Sequence, residues 1–136
     1  MTADLSALIA RLEAAEVGSR ELGHDVLLAL GWHREQIGNF YGPLYQWSSP
    51  DFSPHLISGD EDKLPNPVLS LDAALALVER VLPGWRIGLN SDPDRGPLWA
   101  AQVKRRGETW RPIGELAPTP ALALCIAILR AKQGEG

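Results

Sequence analysis

Apolar positions recur along this chain with two different periods, and the periods predict its elements. Leu5, Leu8, Ile9 and Leu12 stand at helical spacing, which predicts a helix over residues 2–16 capped by Thr2 or Asp4. Gly18 stops it and Ser19 caps the next, over 20–30, where Leu22, Val26, Ala29 and Leu30 share a face and Gly31 ends the run. A third helix is predicted over 70–82. Ser70 is its cap, Leu71, Ala74, Leu75, Val78 and Leu82 are its stripe, and Pro83-Gly84 is its stop. The period then drops to two. Trp85, Ile87 and Leu89 alternate with polar or small residues, as do Trp99, Ala101 and Val103, and each set predicts a half-buried strand. Thr109 to Ile113 is read as a third strand, with Pro112 placing it at an edge.

The most apolar run closes the chain. Thr119 is suited to cap it and Pro120 to occupy its first position, where no N–H is needed. Leu122, Cys125, Ile126 and Leu129 form one stripe, Leu124 and Ile128 widen it, and Gly134 is the expected stop. Apolar residues on nearly every side predict a core helix that packs both on the strands and on the 70–82 helix. The run is too short to cross a bilayer, which needs about 20 residues, so no membrane role is expected. Ala123, Ala127 and Ala131 offer a second use, a homodimer seam.

Residues 32–69 fit neither period. Gly38, Gly42, Pro43, Pro50, Pro54, Gly59, Pro65 and Pro67 argue against long regular elements. Yet Trp32, Phe40, Tyr41, Tyr45, Trp47 and Phe52 are six of the chain's nine aromatics, more than a disordered linker holds. The reading is a long ordered loop laid on the domain, with a short strand near Leu44–Trp47. The whole chain is then a single α+β domain over 1–136. A helical hairpin (1–31) and the loop (32–69) precede a unit of helix, antiparallel strands and C-terminal helix (70–133). The small antiparallel sheet, of about three strands, is layered between helices as an α/β/α sandwich.

This order of motifs resembles the phage ABA sandwich domain family. The resemblance rests on the Leu-rich first helix, Ala29-Leu30-Gly31-Trp32, Ser70-Leu71-Asp72-Ala73-Ala74-Leu75 with Leu77-Val78, Pro83-Gly84-Trp85, and Thr119 through Cys125. It covers most of the chain, least well in the middle loop. It implies a layered α/β/α arrangement and a small accessory protein of phage or prophage, cytoplasmic in its bacterial host. It brings no activity and no catalytic residues.

Composition narrows the function by exclusion. The net charge is −4, which disfavours a general nucleic-acid binder. A single cysteine, Cys125, rules out an internal disulfide and any cysteine-based zinc cluster, and its apolar run predicts a buried thiol. Asp4, Arg11 and Glu13 interrupt the first helix, unlike a secretory signal. Asn90-x-Asp92-x-Asp94 lacks the Gly and Glu of a calcium loop, since Arg95 and Ala101 stand there. His33-x-Glu35 lacks the paired cysteines of a zinc deaminase, and His24 and Asp25 point about 100° apart on a helix. No Gly-x-Ser-x-Gly elbow and no phosphate-binding glycine loop occurs. The expectation is therefore no catalytic residue, no metal and no cofactor.

Three functional readings remain. The first is a non-enzymatic module that binds a phage or host protein through Trp32, Phe40, Tyr41, Tyr45, Trp47 and Phe52, since aromatics are the usual anchors of interfaces. The second is nucleic-acid contact through the hairpin at 104–111, where Lys104, Arg105, Arg106 and Arg111 cluster around Trp110. The third is a small hydrolase built on loop residues, with His55 near a serine or carboxylate.

Overall fold

A computed structural model describes residues 5–39, 41–48, 55–57, 66–91, 98–110 and 114–135, and of 55–57 and 135 the backbone only. Along these residues run α1 (Ser6–Ala14), α2 (Arg20–Ala29), β1 (His33–Asn39), β2 (Pro43–Ser48), β3 (His55–Ile57) and α3 (Leu71–Val81). Then come β4 (Arg86–Ser91), β5 (Trp99–Lys104), β6 (Glu115–Ala117) and α4 (Pro120–Glu135). The strands form two three-stranded antiparallel sheets, β1-β2-β3 and β4-β5-β6, so the fold is α+β.

Capping chemistry sets three of the helix starts where the sequence places them. The Ser19 hydroxyl accepts from Leu22 N–H at 3.1 Å, Ser70 from Ala73 N–H at 3.2 Å, and Thr119 from Leu122 N–H at 3.2 Å. The chain turns out of α2 at Gly31 and out of α3 at Gly84, with φ of 102° and 83°. The caps expected for α1, Thr2 and Asp4, lie outside the described residues. Leu5 takes the cap position with no side-chain bond to the helix.

Helix α4 is the middle of the molecule. Every residue from Ala121 to Leu129 is buried, a helix enclosed on all sides. The sheet β4-β5-β6 lies against it, and α1 and α3 pack on it as well. Ile87, Leu89, Trp99, Ala101, Val103 and Ala117 are the core-facing set of that sheet, as the period of two requires. Among the described residues α4 is the helix that lies along the sheet, and other helices lie behind α4. Burial of Ala123 and Ala127 within their own chain closes the homodimer seam expected along them. Helix α4 also continues through Gly134, where a stop was expected, to Glu135.

Two further expectations are corrected. The third described strand of this sheet is Glu115–Ala117, which pairs with Trp99–Ala101; of the stretch expected there, Thr109 and Trp110 are not in a strand and residues 111–113 lie outside the described residues. A strand at 115–117 avoids Pro112, which has no N–H to give to a ladder. The stretch expected as a long loop with one short strand carries three strands. His33–Asn39 pairs with Pro43–Ser48, with a bulge between Gln36 and Gly38, and Gln46–Ser48 pairs with His55–Ile57. This second sheet joins the body at its base, where Trp32, Trp47 and Ser48 are buried and Trp47 meets His24 of α2 at 4.7 Å between ring centroids.

Candidate functional site

The six aromatics expected to face a partner divide by depth. Trp47 is 0% exposed and Trp32 is 8% exposed, so both are core residues. The Trp32 ring lies 5.8 Å from the Arg80 guanidinium, and its indole N–H has no acceptor among the described residues. Tyr45 is half-buried. Tyr41 stands at the β1–β2 turn, 99% exposed, with φ of 57°. Positive φ is uncommon for a bulky residue and is held only where the neighbouring chain over-determines it. Phe40 and Phe52 lie outside the described residues.

The hairpin β1–β2 is therefore an arm with a buried root and an exposed tip. Six of the seven residues of β1 are exposed, Ile37 among them at 46%. One ordered feature lies along the arm. Arg34 is directly opposite Trp47, and Gln36 is opposite Tyr45. The Arg34 guanidinium sits 4.7 Å from the Tyr45 centroid and 5.5 Å from that of Trp47. The two ring faces attract the cation and favour this position for it.

Two residues of the basic cluster at 104–111, Lys104 and Arg105, lie over aromatic rings of the chain itself. Lys104 is 8% exposed, donates to the Glu108 carbonyl and lies 4.6 Å from the Trp110 ring. Trp110 covers the outer face of the sheet at Gly88, where a Cβ would come within 3.0 Å of the indole. Arg105 lies 5.3 Å from the Trp85 ring, and Arg106 is exposed. Arg111 lies outside the described residues. Phosphate contact needs several accessible cations, and this arrangement spends two of the four on aromatic rings.

A cavity of about 300 Å³ opens between the end of β5 and the last turns of α4. Trp85, Val103, Ala127 and Ala131 give it apolar walls, and Arg105, Glu108, Glu115 and Arg130 ring it with charge. Two of those charges, Arg130 and Glu115, pair with each other. Arg130 pairs with Glu13 at 2.9 Å and with Glu115 at 3.1 Å. The second contact is an ion pair at an angle that leaves the Nε–H without a hydrogen bond. Burial pulls the Arg130 pKa down and the two carboxylates more than offset it, so the guanidinium stays charged. Glu108 accepts from the Arg105 backbone N–H at 3.4 Å. Among the described residues neither a serine nor a histidine lines this cavity.

Of the groups expected for a loop-based hydrolase, Ser48 is buried and lies opposite His55 in the register of β2 and β3, while Ser49, Asp51, Ser53 and Ser58 lie outside the described residues. Among the described residues no three His, Cys, Asp or Glu side chains stand close enough to hold a metal ion. The Cys125 thiol donates to the Pro67 carbonyl at 3.2 Å, and burial pushes its pKa far above the ordinary thiol range, which makes it unreactive. No described helix is long and apolar enough to cross a membrane. What sequence reasoning missed is β1 itself, because His33-Arg34-Glu35-Gln36 shows neither apolar period. No protein-family model, no curated protein and no solved structure matches this chain.

Proposed function

We propose that this chain is a non-enzymatic binding module, an accessory protein of phage or prophage type, that engages another protein through its β1–β2 arm. The observation that carries the reading is the exposed tip. Tyr41 is 99% exposed and held at φ of 57°, on a hairpin whose outer strand is exposed at six of its seven residues. Tyr is a preferred interface anchor, and a bulky residue at positive φ is a costly feature that clusters at functional sites. Trp32 and Trp47 serve this reading as the root that holds the arm, and Tyr45 as part of its face. The origin in phage or prophage rests on the resemblance of the helical motifs, and the charge spent inside the 104–111 turn weighs against nucleic acid as the partner.

The test is affinity capture from bacterial lysate with two baits, the native chain and Tyr41→Ala combined with Ile37→Asp. The double variant is expected to melt at the native temperature and to lose the proteins that the native bait retains. An unchanged set of retained proteins would refute the arm as the binding surface.

A further inference from the structure

Resting on the reading of the arm as a binding surface, we infer that β1 recruits its partner by strand addition. The partner is an extended segment of another protein with a basic and an acidic residue at consecutive positions. The reasoning begins with the edges of the two sheets. Of the four edge strands, β3 and β6 have three described residues each, a short edge that templates pairing poorly; β4 has six, half of them half-buried, and β1 has seven, six of them exposed. Strand β1 has no proline and no lysine, and among the described residues its outer side has no strand neighbour. Every second residue of such an edge presents an N–H and a C=O outward. The bulge between Gln36 and Gly38 interrupts the edge, so the regular part is His33 to Gln36.

That regular part carries two charges, and within β2 neither meets its opposite. Arg34 is opposite Trp47, and Glu35 is opposite Gln46. Neither makes an ion pair among the described residues. Consecutive residues of a strand point to opposite faces, so Arg34 and Glu35 mark one face each. An added antiparallel strand complements both only with a carboxylate opposite Arg34 and, one residue earlier in its own sequence, a cation opposite Glu35. The Arg34 guanidinium has a favoured position on this face, 4.7 Å from the Tyr45 ring and 5.5 Å from the Trp47 ring.

The same geometry excludes a second copy as the matched partner. Two copies of β1 paired antiparallel about a two-fold axis present the same face on the same side. Residues 33 to 36 then meet only residues of the same parity, so Arg34 faces Arg34 or Gln36 and never Glu35. No register of self-pairing satisfies the charges, whereas a foreign strand can.

The probe is a pair of heptapeptides of Thr and Val, one with Lys-Glu at its centre and one with Gln-Gln. Each is titrated into the isotope-labelled full chain while amide hydrogen exchange is followed. The Lys-Glu peptide is expected to slow exchange at alternate residues within 33–36, by about tenfold at ten times its Kd. It should bind about twofold to fivefold more tightly per ion pair than the Gln-Gln peptide. Arg34→Gln should remove the Arg34 share of that preference. Arg34→Lys should keep part of it, which separates lost charge from a disturbed hairpin. Equal affinity for the two peptides overturns the proposal, as does absence of protection at β1 by either peptide. If β1 stays unprotected while Tyr41-dependent capture of a lysate protein persists, strand addition fails and the arm's binding role stands.

Discussion

Replacing Trp47 by Ala separates a root from an anchor. The side chain is 0% exposed, lies against His24 and beneath Arg34, and belongs to the main core. A buried Trp removes up to about 250 Å² from water, which at about 25 cal/mol/Å² is about 6 kcal/mol. Residual burial in the unfolded chain lowers that by roughly 10–40%, to about 4–5 kcal/mol. This agrees with the roughly 3–5 kcal/mol measured for comparable truncations. Urea unfolding followed by far-ultraviolet circular dichroism reads the change. With a slope of about 2 kcal/mol/M, the midpoint should fall by about 2 M. Tyr41→Ala, at a fully exposed position, should move it by no more than about 0.3 M. A fall of less than about 0.5 M for Trp47→Ala would refute the assignment of Trp47 to the core. So would a variant that keeps its midpoint and loses only binding.

Two further perturbations test the packing around α4 and α2. Gly23→Ala would ordinarily stabilise a helix interior by about 0.5–1 kcal/mol. Here the new Cβ would fall 2.1 Å from Asn66 Oδ1, whose amide bonds Ser19 O at 3.3 Å and Val68 N–H at 3.1 Å, so a lower melting temperature is expected and a higher one would refute the contact. Cys125 should resist iodoacetamide until the chain unfolds, because its raised pKa keeps the native thiol protonated. Above about pH 8.5 the unfolded chain alone loses that proton. Stability should then fall more steeply with pH than in Cys125→Ala, by up to about 1.4 kcal/mol per unit. Equal slopes in calorimetry, or rapid native labelling, would contradict the burial.

Where one residue's local chemistry set the outcome, the element was legible. Ser19, Ser70 and Thr119 cap helices because a hydroxyl next to free N–H groups needs nothing from the rest of the fold. The apolar run of α4 predicted a helix enclosed on several sides, and enclosure by the sheet, α1 and α3 is what the chain has. The candidate site was legible in composition only. Counting aromatics over 32–52 pointed to that stretch, but depth, not residue type, separates Tyr41 from Trp47.

By itself, then, the sequence determined the α+β class, the four helices and the two strands β4 and β5, since each depends on periodicity or on contacts within a few residues. Tertiary structure decided the rest. Strand β1 is a strand because β2 pairs with it, not because its own residues prefer one. With both faces exposed it had no apolar period to display. The third strand fell at Glu115–Ala117 because the free side of β5 could be paired there, where Gly114 lets the chain pass close to Ala101. Whether an aromatic anchors the arm or greets a partner depends on which long-range neighbours cover it, and no local pattern encodes that.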